Sequence, residues 1–377
     1  MKKVGVVVSL VVAVLVGCAA QTPSAVAPPP AAMLVTPQST GVPPPAAPVA
    51  AAAAAAPPHA CGGAPLTVHF YDVSQALSAL VDLPGGRHIL VDAGDLSNRA
   101  GCGEPCKTAH AHLLSDLATD LGGKPVDLLW VTHQHSDHLG GVADLVTKFP
   151  VRQYVDNGRD LDPANKQDKE VLDTRAAVQK ADASITVVEP GHTELPLADG
   201  GDVHLTAIAP SSWLPKCSSD RNECSIMLRI DYCSSSVLFT GDEEVDEEPL
   251  IDPHGSVTLL QAGHHGSNTS SGAAFLASVK PKYVVISAGK PDEGSNRGYC
   301  HPSKSTVDNL TAALGGPGAR TVSAFDGPSC AKGVSHLANF VDVPTSDTLW
   351  ATERDGDVVL TTTGDGTFTR EQAVASH

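Results

Sequence analysis

The feature that most constrains this chain is a cluster of ligand-type residues placed at the end of one strand. Val126 to Thr132 (VDLLWVT) is a continuous apolar run, the pattern of a buried strand. It leads directly into His133-Gln134-His135-Ser136-Asp137-His138-Leu139-Gly140-Gly141, ahead of a helical segment. Three imidazoles and a carboxylate therefore stand within six residues at a strand end. Neutral imidazole and carboxylate are ligands for zinc or iron. His133 and His135, two apart on an extended loop, can converge on one ion. Asp137 and His138 open the next turn and can reach a second. Gly140 and Gly141 let backbone come close to the cluster. A solvated polar loop is the plainer alternative, and this spacing after such a strand disfavours it.

The rest of the chain supplies a frame. Leu66–Tyr71 and Arg87–Val91 read as strands, with Pro84-Gly85-Gly86 between them as a hairpin signal. Ala109–Leu121 reads as a helix with Leu113, Leu114, Leu117 and Leu121 on one face; His110 and His112 read as surface residues on it. Segments 141–149, 169–182 and 303–314 are helical. Strands are predicted over 185–188, 203–208, 225–232, 237–240, 258–261, 283–287, 321–324 and 358–362. Strand-rich halves, each with helices, predict two sheets packed face to face with helices outside, an α/β fold.

The beginning of the chain reads as address and tether. Met1-Lys2-Lys3 is a positive start, and Val4–Val16 is a 13-residue apolar run, too short to span a bilayer comfortably. Leu15-Val16-Gly17-Cys18 resembles a bacterial lipobox, so residues 1–18 are expected to be a lipoprotein signal with Cys18 as the lipidated residue. Residues 19–60 are Ala/Pro-rich and uncharged, a disordered linker reaching on the order of 100 Å. The expected location is a bacterial membrane, held by lipid alone, with the protein facing the periplasm or the cell exterior. Beyond Cys18 there are eight Cys, an even number that suits disulfides in an exported chain. Cys102–Cys106 and Cys217–Cys224 are the nearest neighbours, but spacing alone does not fix the pairing. The formal charge of −17 argues against a broad basic groove for polyanions.

The H-x-H-x-D-H pattern resembles the first metal motif of the metallo-β-lactamase superfamily. The resemblance implies a four-layer αββα sandwich over residues 61–377. It also implies hydrolytic chemistry at a site of two Zn²⁺, with Mn or Fe as other candidates. Ser236–Asp242 (SVLFTGD) is a strand whose end places Asp242 at the family's metal-bridging position. Leu259–Ser267 (LLQAGHHGS) runs into His264-His265, and Asn296–Pro302 (NRGYCHP) carries His301. Asp92 matches the early acidic residue that supports the ligands from behind. The order GD, HHGS, N-x-x-Y-x-H-P is similar to the extracytoplasmic domain of ComEC-type competence proteins, over about residues 66–370. Phosphorylcholine esterases of the superfamily carry a related pattern. The chain departs from the ComEC-type pattern at Gln75-Ala76-Leu77, where those domains continue Gln-Gly-Asp.

By this resemblance, His133, His135 and His265 hold one metal, Asp137, His138 and His301 the other, and Asp242 bridges them. Adjacent histidines on a strand end point to opposite sides. His265 is therefore assigned as the ligand and His264 as a substrate-facing acid or electrostatic stabiliser, although the two could be exchanged. Asp137 and His264 form the catalytic set, and Ser267 with Asn268 is assigned to hold the His loop. His192 is read as a surface-loop residue. The function implied is an exported, membrane-anchored hydrolase of phosphodiesters, with a hydroxide held by the metals as attacking group. Its substrate would be small or polymeric, nucleic acid or a phosphate-linked envelope component. The alternatives are an amide or ester hydrolase, such as a β-lactamase or lactonase, and a non-catalytic metal-binding module.

Overall fold

The computed structural model describes residues 63–195 and 202–371, apart from the side chains of Gln167 and residues 192–194. Cys18, the linker and Cys61 lie outside the described residues, as does the His192 side chain. The first half of the order is β1 (Leu66–Phe70), β2 (Ala79–Asp82), β3 (His88–Val91), α1 (Glu104–Leu121), β4 (Val126–Trp130), α2 (Ser136–Leu139), α3 (Val142–Lys148), β5 (Val151–Asp156), α4 (Lys169–Lys180) and β6 (Ser184–Val187). Next come β7 (His192–Leu195), β8 (Val203–Ile208), β9 (Met227–Tyr232), β10 (Ser235–Phe239), β11 (Leu259–Gln261), α5 (Ala273–Val279) and β12 (Tyr283–Ile286). The order closes with α6 (Lys304–Ala313), β13 (Arg320–Phe325), β14 (Phe340–Thr345), β15 (Leu349–Ala351), α7 (Thr352–Asp355), β16 (Val358–Thr362) and β17 (Thr369–Arg370).

The strands form two large sheets. One has the order β17-β16-β1-β2-β3-β4-β5-β6, the other β15-β12-β11-β10-β9-β8-β7, and β13-β14 make a separate ribbon. Within the first sheet β3 through β6 run parallel. Within the second, β10, β11, β12 and β15 run parallel. Parallel strands covered on both faces explain the unbroken apolar runs.

Alternation along single strands separates three apolar clusters. On β3, Ile89 and Val91 enter the core between the sheets, while Leu90 packs with Leu113 and Leu117 of α1. On β4, Leu128 and Trp130 face the central core and Leu129 the helix side. On β10, Val237 and Phe239 face the centre, while Leu238 joins Phe275, Leu276, Val307 and Leu310 from α5 and α6. Helix, sheet, sheet, helix is thus the layer order, an αββα sandwich. Among the described residues no helix is long and apolar enough to cross a membrane.

Local differences from the sequence reading have plain causes. The hairpin at Pro84-Gly85-Gly86 joins β3 to β2 rather than to β1. β2 is only four residues, three of them fully buried, and so carries no alternation to read. Helix α1 begins at Glu104 rather than Ala109, with Pro105 in its first turn. Leu114 is only half-buried on it, and the buried face is Cys106, Ala109, Leu113, Leu117 and Leu121.

Candidate metal centre

The carboxyl ends of strands from both sheets meet at one edge. Asp92 follows β3 in a left-handed conformation, φ 56°, which an Asp tolerates better than most residues. Its buried carboxylate accepts three hydrogen bonds: the Thr132 N–H at 2.8 Å, the Thr132 hydroxyl at 2.8 Å and His138 Nδ1 at 2.7 Å. His138 is thereby fixed with its proton on Nδ1 and Nε2 turned into the site. Close approach of the two loops requires glycine at 141, where a Cβ would sit 2.0 Å from the Ala93 carbonyl oxygen.

Around His138 Nε2 the other groups converge. It lies 3.2 Å from Asp242 Oδ1 and 3.3 Å from His265 Nε2. His265 Nε2 is 3.6 Å from Asp242 Oδ2 and 3.8 Å from Asp137 Oδ2. His133 Nε2 is 3.8 Å from Asp242 Oδ2 and 3.1 Å from His135 Nδ1. His265 donates through Nδ1 to the Ser287 carbonyl at 2.7 Å, which leaves its Nε2 lone pair facing inward. Two groups of metal-ligand atoms result: His133, His138 and Asp242, and Asp137, His138 and His265. The grouping of His265 with His133 and His135 thus differs from the geometry. His265 stands with Asp137 and His138, because the turn after β11 brings its Nε2 within 3.8 Å of Asp137 and 3.3 Å of His138.

The histidine pair also departs from the strand-end argument. β11 stops at Gln261, and His264 and His265 lie in a turn with φ of 46° and 53°. Two consecutive left-handed residues turn both rings toward Asp242, and each costs roughly 1–2 kcal/mol of backbone strain. His264 Nε2 lies 3.8 Å from Asp242 Oδ2. Its Nδ1 lies 3.2 Å from Glu244 Oε1 and 3.1 Å from Thr269 Oγ1. Asn222 Nδ2 stands 3.2 Å from Nε2. Ser267 closes this turn, its N–H donating to the His264 carbonyl at 2.8 Å and its hydroxyl pairing with Thr269.

His301 sits beside the cluster rather than in either ligand group. Its ring centroid is 5.2 Å from that of His264 and 6.3 Å from that of His265. Asn296 accepts its backbone N–H at 2.8 Å and donates to its carbonyl at 2.7 Å. Gln75 Oε1 accepts the Gly289 N–H at 3.1 Å, which directs Gln75 Nε2 at His301 Nδ1, 3.1 Å away. Nδ1 is then an acceptor, so the proton of a neutral His301 is on Nε2.

Electrostatics agree with a cation-binding donor set. Burial, then the neighbouring His138, holds His133 well below the ordinary imidazole range. Burial, then His264 and His265, does the same to His301. Burial would raise Asp242, but His138, His265 and His264 around it hold it well below the usual carboxylate range. Burial would lower His138, yet Asp242 and Asp92 raise it well above its usual value. His138 Nε2 faces a second imidazole nitrogen, Nε2 of His265. Asp242 Oδ1 is buried and makes no well-formed hydrogen bond. Converging nitrogen lone pairs and an unsatisfied buried carboxylate oxygen are what a divalent cation satisfies.

Sequence reasoning passed over several supports. Gln75 and Asn296 stand inside segments quoted for the resemblance, so their presence was visible and only their roles were hidden, and Asn222 reaches His264 from 42 residues away. Ser287 acts through its backbone carbonyl, which no side-chain pattern reports. Arg99 and Tyr299 meet across 200 residues of chain. Disulfides join Cys102–Cys106, Cys217–Cys224 and Cys300–Cys330, and Cys233 is also disulfide-bonded.

Residues 71–290 match the family model described as Metallo-beta-lactamase superfamily. The chain is 27% identical over 263 residues to "ComE operon protein 3" of Bacillus subtilis, covering 67% of this chain and 31% of that protein. It is 28% identical over 248 residues to "Recombination protein 2" of Haemophilus influenzae, covering 64% of this chain and 27% of that protein. The chain thus spans about a third or less of the length of these relatives, which carry the ComEC-type resemblance seen in the motifs. A solved structure, the metallo-beta-lactamase fold protein YhfI from Bacillus subtilis, is 13% identical with a TM-score of 0.39, covering 60% of this chain and 87% of that one. With its αββα layers, its H-x-H-x-D-H loop and a family match over more than half its length, this chain belongs to the metallo-β-lactamase superfamily.

Proposed function

We propose that this chain is a metal-dependent phosphodiester hydrolase that acts outside the cytoplasm, tethered to a membrane through Cys18. The observation that carries the hydrolase reading is the convergence of His133, His138, His265, Asp137 and Asp242 in one buried cluster. His133, His135, Asp137, His138, Asp242 and His265 would hold two divalent cations, with zinc the leading candidate. When bound, such a pair supplies Lewis acidity and an activated water.

The chain's own residues do the rest. Asp92 holds His138 in the tautomer that ligates. Glu244 and Thr269 orient His264 through Nδ1, and a proton held there beside Glu244 would place positive charge near the oxygen that leaves. His301 can present Nε2–H toward the reacting group because Gln75 occupies Nδ1, which supports a donor role in place of the ligand role drawn from the resemblance. "Recombination protein 2" among the relatives favours a nucleic-acid substrate over a β-lactam. The apolar run ahead of Cys18 and the disulfides support export.

The test is metal analysis together with turnover. The purified chain should carry about two ions and hydrolyse bis-p-nitrophenyl phosphate faster than nitrocefin, and Asp242→Asn should abolish turnover while leaving the circular dichroism intact. Unchanged turnover in Asp242→Asn overturns the reading. Incubation with labelled single- and double-stranded DNA then separates nucleic acid from other diesters.

A further inference from the structure

We propose that Arg99 and Tyr299 form a phosphate clamp at the mouth of this site, selecting an anionic phosphodiester over a neutral ester or amide; the inference rests on the hydrolase reading. Arg99 Nη1 lies 3.6 Å from Asp137 Oδ1, so the guanidinium is beside the ligand cluster. The Tyr299 ring centroid lies 6.0 Å from that of His301. The pair therefore flanks the place where a reacting group would sit.

Both side chains are held in place. Arg99 Nη1 donates to Asp95 Oδ2 at 2.6 Å, and Asp95 is fixed by the Ser136 hydroxyl at 2.7 Å and the Leu96 N–H at 2.8 Å. Arg99 Nη2 donates to the Tyr299 hydroxyl oxygen at 2.8 Å, and the guanidinium carbon lies 5.8 Å from that ring's centroid. The two loops pack against each other: a Cβ at Gly294, φ 50°, would stand 3.1 Å from Cys102 Sγ. Each loop is also cross-linked, by Cys102–Cys106 and by Cys300–Cys330. Such fixing leaves little ordering entropy to lose when a ligand arrives.

The donor count favours an anion. A guanidinium has five N–H donors, and the two bonds to Asp95 and Tyr299 leave three. Because Tyr299 accepts from Arg99, its own O–H proton points elsewhere and can be donated. Arg99 is 22% exposed and Tyr299 37%, so a ligand can reach both. A planar fork beside a phenol matches two non-bridging phosphate oxygens. Arg99 stands between Asp95 and Asp137, so what it offers a ligand is its remaining donors in a fixed geometry.

The clamp is tested on the full chain loaded with zinc. Inorganic phosphate is titrated by calorimetry into wild type, Arg99→Gln, Arg99→Lys and Tyr299→Phe. Turnover of bis-p-nitrophenyl phosphate and of neutral p-nitrophenyl acetate is measured in parallel. Arg99→Gln should weaken phosphate binding and raise the diester KM by about tenfold or more, lowering the diester-to-ester preference, at unaltered zinc content. Arg99→Lys, which keeps charge without the fork, should recover only part, and it stands in if Arg99→Gln fails to fold. Wild type that binds no phosphate overturns the clamp. So does Arg99→Gln that binds it undiminished, or that loses both activities equally together with zinc. Phosphate bound through Arg99 by a chain that cleaves no diester leaves the clamp standing and removes the hydrolase reading instead.

Discussion

The sheets and the rim of the site are held together by different means. In the sheets, strands β3, β4, β10 and β11 are almost wholly buried, and their apolar side chains lock into three clusters. At the rim the segments are irregular, and charge and covalent links do the work. The Arg99 loop is tied to α1 by Cys102–Cys106, the Asn222 turn by Cys217–Cys224, and the His301 segment to the loop after β13 by Cys300–Cys330. Apolar burial is tolerant of exact side-chain identity but intolerant of lost volume. A rim built from single links is the reverse: losing one shifts local geometry first, while the packing of the sheets persists.

That contrast can be broken in four ways. Phe239→Ala, at a fully buried centre position, should cost about 3–5 kcal/mol of unfolding free energy by urea titration. Any fall in activity should then follow the folded fraction alone. A Cys300→Ser/Cys330→Ser double variant opens a link spanning 30 residues, worth at most about 3–4 kcal/mol by loop entropy. Faster amide exchange should appear in residues 326–339 and around His301, with the sheets still protected. A loss of protection spread over the sheets would show that rim and framework are one unit.

Asp92→Ala leaves the Thr132 N–H, its hydroxyl and His138 Nδ1 without their shared acceptor, and should weaken zinc binding about 10–100-fold by competition titration. The smallest effect concerns a seam away from the site. The hydrogen bond that His112 donates to Asp357, working against burial, raises His112 to about 9, from an ordinary 6.5. A raised folded-state value makes its contribution full below the unfolded value and lost as pH climbs through the folded one. The gap in melting temperature between wild type and His112→Asn should be widest near pH 6 and close between about pH 6.5 and 9. A gap that widens with pH would reverse the assignment.

Much of this was legible in the chain because two signals are local. Apolar runs such as Leu128–Val131 announce covered strands, and His133 to His138 place four donors in one loop. What stayed hidden depends on distant partners. β2, β7 and β15 are short and find their place only through neighbours, and β14, six residues long, is largely exposed and interrupted by Pro344. The turn at His264 and His265 has a backbone that residue type does not announce, so the period-2 argument led to opposed rings where both face Asp242. His110 and His112 read as simple surface residues, yet the first lies 3.1 Å from Asp144 and the second 3.0 Å from Asp357. Arg99 belongs to no motif and acquires its position only when the loops from either end of the chain pack together.

The donors of the cluster are divided between the sheets: His133, His135, Asp137 and His138 come after a strand of one, and Asp242 and His265 after strands of the other. The gap between the layers is therefore gauged at its edge. A slip of one residue along a strand, about 3.3 Å, exceeds by several-fold the roughly 0.5 Å within which such a constellation works. The indole N–H of Trp130, which reaches across from β4 to the Ile226 carbonyl at 3.2 Å, serves as a dowel against that slip. Cores of this architecture can drift in sequence so long as the alignment of the two layers survives, and the chemistry at the edge is what detects any misalignment.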